Sequence, residues 1–181
     1  VQLRGYRAQH RVAHAVQQIV VHHVAGTSPS IDDAVVPFVI ASDAKLVNGK
    51  VVGDPTEGAL LVLAHKAGLD IEASRDKFPR LATLPFDPTY KLMATFNSAT
   101  DATGRDVVRC FVKGAPDQLL ARASSHLDPS LQPAAVDAGF TERYLGENER
   151  LAAQGLRVMA TARRDFDPAT FDAAGDMLEL M

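Results

Sequence analysis

The chain has 181 residues, 46 % apolar and 23 % charged, the balance of a globular protein with one sizeable core. Lys and Arg number 19 against 22 Asp and Glu, a net charge of −3, so the overall field offers no attraction for nucleic acid or an anionic membrane surface. A single cysteine, Cys110, excludes an internal disulfide and fits a reducing compartment. Its apolar neighbours mark it as a packed strand residue rather than a reactive thiol. No run approaches the roughly 18 apolar residues of a spanning helix. No basic-then-apolar leader opens the chain, so direct membrane insertion is not expected of these residues.

In chain order, residues 1–6 have the composition of a strand. Residues 13–24 suit a helix or a strand, and periodicity does not choose between them. A turn-rich stretch at 26–33 leads to a short helix through Ala41, with Asp32 as its expected cap. Asn48-Gly49 inside 47–52 signals a tight hairpin. Asp54-Pro55-Thr56-Glu57 combines an N-cap, a proline at the first helical position and a glutamate at the third. The helix through 59–66 follows and ends at Gly68. Residues 71–78 form another short helix. Strands are expected at 80–84, 92–97 and 107–113, the last two joined as a hairpin around Gly104. A helix over 116–123, a loop over 124–139, an amphipathic helix over 140–154 stopped by Gly155, and a strand over 156–163 complete the pattern. Helices mixed with antiparallel hairpins make the class α+β, a mainly antiparallel twisted sheet flanked by helices.

Three patterns are set aside. Gly53–Gly58 has the spacing of a phosphate loop, but Ala59-Leu60 stand where that loop needs Lys and Ser or Thr. Asp165-Phe166-Asp167 follows Arg163-Arg164 and precedes Pro168, which reads as a surface turn rather than paired catalytic aspartates. His22-His23 has no carboxylate or cysteine at ligand spacing, so no metal site is expected.

Four stretches carry more chemistry: Gly53-Asp54-Pro55-Thr56-Glu57-Gly58-Ala59-Leu60; Pro85-Phe86-Asp87 with Lys91 and Met93; Lys113-Gly114-Ala115-Pro116-Asp117; and Gly155-Leu156-Arg157-Val158-Met159-Ala160. Each has a purely structural reading. Asp54 to Glu57 start a helix well, because side-chain oxygens satisfy its orphan amides. Phe86 at a strand exit is core or exposed, and Lys91 by itself is a solvated strand lysine. Lys113 ends an apolar strand, Gly114 permits close backbone approach, and Pro116 opens a helix. Such a corner presents the last strand side chain at the sheet rim. Alternation over 156–163 sets Arg157, Met159, Thr161 and Arg163 on one face, and over 107–113 sets Arg109, Phe111 and Lys113 together. A shared sheet would then offer basic and adaptable apolar groups on one side, suited to a base with a phosphate tail.

Together and in this order, the four stretches resemble the nucleotide-binding (N) domain of P-type ATPases, in the branch that holds calcium pumps and their bacterial relatives. The resemblance covers residues 35–164 well and leaves 1–30 unplaced; the expectation is one nucleotide-binding domain over 1–181. It implies an ATP site in which Glu57 accepts from the adenine amino group, Phe86 stacks on the ring and Lys113 with Gly114 lines the adenine. Lys91 favours the phosphate-bearing ligand, Arg157 meets the sugar or phosphate end, and Met159 lies beside the adenine. Pro88-Thr89-Tyr90 stands where the family often has an arginine, which weakens the phosphate side, and Asp117 replaces the usual glutamate. The Asp-Lys-Thr-Gly-Thr and Gly-Asp-Gly-x-Asn-Asp sequences are absent, so no aspartyl intermediate forms on these residues and no catalytic residue is assigned. The implied partners are ATP, as Mg-ATP in an intact pump, and that pump's phosphorylation and actuator domains. The implied location is the cytoplasmic side of an integral membrane protein. Two alternatives remain at this stage: a stand-alone ATP-sensing module, and an α+β domain that binds nothing.

Overall fold

The computed structural model describes residues 31–128 and 132–181. The segments expected at 1–6 and 13–24, and the His22-His23 pair, lie outside the described residues. Helix α1 (Ile31–Ile40) leads to a hairpin of β1 (Lys45–Val47) and β2 (Lys50–Val52). Asn48 and Gly49 take φ of 50° and 73°, the left-handed pair that a two-residue hairpin requires. Helix α2 (Pro55–Lys66) starts as its sequence dictates. Asp54 Oδ1 accepts from the amides of Thr56 at 2.8 Å and Glu57 at 3.0 Å, and Pro55 occupies the first turn, where a missing N–H costs nothing. Asp70 caps α3 (Ile71–Lys77) in the same way, through the Ala73 amide.

Then come β3 (Arg80–Asp87), β4 (Leu92–Thr100), β5 (Asp106–Gly114), α4 (Pro116–Leu120), a small hairpin of β6 (Ser125–Leu127) and β7 (Pro133–Ala135), α5 (Ala138–Ala152) and β8 (Ala160–Phe166). The main sheet has the order β3-β4-β5-β8, and every neighbouring pair is antiparallel. This is the α+β class expected from the alternation of hairpins and helices. Among the described residues, no helix is long and apolar enough to cross a membrane.

Strand alternation divides the apolar residues between the two sheet faces. On one face Phe111 packs with Val35, Val39, Leu61, Ala64 and Ile71 from α1, α2 and α3, and Phe78 meets it edge-on at 5.1 Å. On the other face Leu92, Ala94, Phe96, Val108, Cys110 and Val112 pack with Leu119 of α4, Tyr144 of α5 and the C-terminal Phe171, Met177 and Leu180. Cys110 is buried as expected, and burial pushes its thiol up to about 12, which leaves it protonated and inert.

Away from the sheet rim the structure departs from expectation at several points. The segment 124–139 is not all loop: β6 and β7 pair across it, strands too short to show alternation, and Asp137 caps α5 through the Phe140 amide. The helix from Pro116 stops at Leu120, three residues early. Helix α1 already includes Ile31 and Asp32, so Asp32 is not its cap. Asp165 and Phe166 belong to β8 rather than to a surface turn. Asp165 takes both ends of the Arg109 guanidinium at 2.7 Å, and Phe166 packs against Phe96. The cross-strand register places Asp165 opposite Arg109, a long-range match that local sequence does not reveal.

Phe96 is fully buried and touches the rings of both Phe166 and Phe171. Phe96→Ala is expected to lower the unfolding free energy by about 3–5 kcal/mol, read from urea unfolding.

Candidate functional site

The register fixes one rim of the main sheet. Asp87 lies opposite Leu92, Leu92 opposite Gly114, and Gly114 opposite Ala160. The end of β3, the start of β4, the end of β5 and the start of β8 therefore share one edge. Phe86, Lys91, Lys113, Gly114 and Met159 all stand at that edge, and Arg157 follows two residues outside it. The remaining predicted residue, Glu57, arrives from the first turn of α2.

Glu57 and Lys113 meet. Lys113 Nζ donates to Glu57 Oε1 at 2.6 Å, and the side chains are only 5 % and 15 % exposed for lysine and glutamate respectively. Glu57 Oε2 accepts from the amides of Asp43 and Ala44, each at 2.9 Å, and from Ser42 Oγ at 3.2 Å. Burial alone would raise the Glu57 pKa. The bond and charge of Lys113, with the Ala44 and Asp43 amides, outweigh it and hold the carboxyl below its ordinary 4.5. Burial likewise pulls the Lys113 ammonium below the usual lysine range, and Glu57 recovers part of that shift. The ammonium has three donors and a carboxylate oxygen accepts twice, so the bond between them does not exhaust either group.

Gly114 is required by packing. A methyl group there would sit 2.6 Å from the Lys91 carbonyl oxygen and 2.7 Å from Leu92 Cβ. Lys91 is held from both sides: its amide donates to the Asp87 carbonyl at 2.8 Å, and its carbonyl accepts from Ala115 at 3.0 Å. It has φ of 52°, a left-handed conformation rare for lysine, so the turn that carries it is built and not incidental. Within that turn Asp87 Oδ1 accepts from the Thr89 amide at 2.7 Å. The Lys91 charge also reaches Asp117, whose carboxyl is kept below its usual range first by a hydrogen bond to Gln118 and lastly by that charge. Phe86 is 58 % exposed and belongs to neither core cluster.

The sequence model of the family described as P-type ATPase, cytoplasmic domain N, matches residues 34–179. The chain belongs to this family. It is 36 % identical over 147 residues to the cation-transporting ATPase pma1 of Synechocystis, a match covering 79 % of the chain and 15 % of that protein. Calcium-transporting ATPase 1 of Lactococcus lactis is 39 % identical over 115 residues, 63 % of the chain and 12 % of the relative. Mouse calcium-transporting ATPase type 2C member 1 is 32 % identical over 135 residues, 75 % of the chain and 14 % of the relative. The chain thus spans less than a sixth of the length of these relatives.

Two expectations about this N domain's site are corrected. Residues 156–159 are not strand: β8 begins at Ala160, because Gly114, the partner of Ala160, is the last residue of β5 and no strand continues beyond it. Arg157 and Met159 are therefore placed by the loop after Gly155, which turns at φ of 75°, and not by alternation. Arg157 is exposed and Met159 half-buried. Thr161 and Arg163 do share a face with Lys113 and Phe111, their direct cross-strand partners. That face is no open platform, since α1, α2 and α3 cover Phe111, and Arg109 is committed to Asp165. Only its Lys113 end approaches the rim. Sequence reasoning missed Ser42, Asp43 and Ala44, which hold Glu57. The Asp43 and Ala44 amides carry no residue-type signal, a lone Ser42 hydroxyl carries little, and all three lie 13 to 15 positions from the group they bind.

Gly114→Ala forces a methyl into backbone, and the N domain is expected to lose about 1–3 kcal/mol in urea unfolding. The depressed Glu57 pKa makes a second test. Its folded form binds fewer protons than its unfolded form, so the contribution is complete above 4.5 and is lost as pH falls through the folded value. Urea stability should fall through that acid window. Glu57→Gln should lower stability at neutral pH, where it strands a buried ammonium, and flatten the acid limb.

Proposed function

We propose that this chain holds ATP for a cation-transporting P-type ATPase, with the phosphorylated aspartate supplied by a part of the pump outside these residues. The observation that carries the reading is the Glu57–Lys113 pair at the sheet rim, where the exposed Phe86 ring stands near the end of β3. The relatives' names, two calcium-transporting and one cation-transporting, support a metal cation as the cargo of the parent pump.

The residues suit a nucleotide. A buried carboxylate oxygen with a lone pair to spare accepts from an exocyclic amine, and an ammonium beside it donates to a ring nitrogen or an oxygen. The exposed Phe86 ring supplies a stacking surface, worth about 1–3 kcal/mol per base. Met159 supplies a polarisable apolar wall. Lys91 and Arg157, at the rim and outside it, favour the sugar and phosphate end. With Thr89 in a capped turn and no arginine in that loop, the phosphates have few partners. Binding should be weak, about −4 to −6 kcal/mol, or millimolar to tens of micromolar.

In this reading the chain positions ATP, as Mg-ATP in the intact pump, and does no bond chemistry itself. The phosphorylation and actuator domains of the pump are its partners. ATP titration followed by amide chemical shifts tests the reading: shifts at Glu57, Phe86, Lys91, Lys113, Gly114, Arg157 and Met159 are expected at millimolar ATP. Unmoved resonances at these positions would end it. Lys113→Ala should weaken binding at least about tenfold, roughly 1.4 kcal/mol. Phe86→Ala should weaken binding without moving the urea midpoint, because the ring lies outside both cores. The pure chain should release no phosphate from ATP.

A further inference from the structure

The three donors that fix Glu57 come from one short segment after α1, and two arginines grip that segment from behind. Arg80 Nη2 donates to the carbonyls of Ser42 at 2.9 Å and Ile40 at 3.0 Å. Arg75 Nη2 donates to the carbonyl of Ala44 at 2.7 Å and more weakly to that of Ser42 at 3.4 Å. Arg75 stands on α3 and Arg80 opens β3, so the two reach the segment from different elements. The carboxylates facing these guanidiniums are Glu72, 3.8 Å from Arg75, and Asp43, paired with Arg80.

One peptide unit links the two sets of bonds. The Ser42 carbonyl and the Asp43 amide are opposite ends of a single planar, trans group. Its oxygen faces two guanidiniums and its N–H faces the Glu57 carboxylate at 2.9 Å. The peptide dipole therefore lies between positive and negative charge in the favourable direction. Each bond polarises the next, from guanidinium through peptide to Glu57 and on to Lys113. A flip of this peptide would break bonds on both sides at once, so the arginines lock the orientation that delivers the amide to Glu57.

We infer that Arg75 and Arg80 are positioning residues of the nucleotide site: they clamp the 40–44 backbone so that its amides hold one oxygen of Glu57 and leave the other to Lys113 and the ligand. The inference rests on the ATP-holding reading for its consequence in binding. Its structural part, control of Glu57, is read without any nucleotide.

Arg80→Met and Arg75→Met remove the donors and keep much of the stem. In the ATP-free chain the Glu57 side-chain carboxyl, followed by carbon NMR, should titrate closer to its ordinary 4.5 in each variant than in the wild type. An unchanged titration in a folded variant overturns the inference. ATP affinity should fall about 2- to 10-fold in Arg80→Met, the contribution of a lost hydrogen bond. That fall should vanish in a Glu57→Gln background. An equal fall in that background means that Arg80 does not act through Glu57 and also overturns it. Should the variants fail to fold, the wild type decides: the Asp43 and Ala44 amide protons must shift together with the Glu57 titration, and indifference to it defeats the clamp. If the wild type ignores millimolar ATP while the Glu57 titration moves in Arg80→Met, the ATP-holding reading fails and the clamp on Glu57 stands.

Discussion

A buried ammonium and a half-buried carboxylate, 56 positions apart in the chain, meet at 2.6 Å and tie the first turn of α2 to the end of β5. The Lys113 ammonium does not tolerate its burial alone, because without Glu57 its charge would lack a counter-ion. The pair therefore acts less as a source of net stability than as a condition on geometry. Helix α2 must present its first turn to the end of β5, and the backbone after α1 must turn its amides the same way. The capped start of α2 serves this requirement: Asp54 occupies the Thr56 and Glu57 amides, so the Glu57 side chain is free to reach outward.

The antiparallel hairpins turn this local condition into a site. Because β4 and β5 are paired without a bulge from Leu92 to Thr100, the position of Lys113 fixes that of Met93 and, through Gly114, that of Lys91. Strand β8 then begins opposite Gly114 and brings the preceding loop to the same edge. Charges that are distant in sequence arrive together because strand ends coincide. The two faces behind them are filled by separate cores, so little at the rim can shift without disturbing one or the other.

Much of this was legible in the sequence because its signals are local. Asn48-Gly49, Asp54-Pro55 and the Lys113-Gly114 corner each carry their own backbone chemistry, and each appears where it was expected. The strand at 156–163 was misplaced because alternation in a short run says which residues share a face, not where a partner strand ends. The β6–β7 hairpin and the Arg109–Asp165 pair were invisible because they rest on register between segments far apart in the chain. The amide donors to Glu57, from Asp43 and Ala44, escape for a different reason: backbone amides are present at almost every position, so no residue type announces them. The family resemblance named Glu57 and Lys113 without indicating that they bond to each other.

The ring of Phe86 sits near the end of β3, an outer strand of the sheet, and neither core includes it. A contact surface built there is mechanically decoupled from the fold. Its size, polarity or aromatic character can change while the cores and the charge pair stay intact. In the ATP-holding reading proposed above, exchanging this one residue would alter the ligand contact with no compensating change in either core.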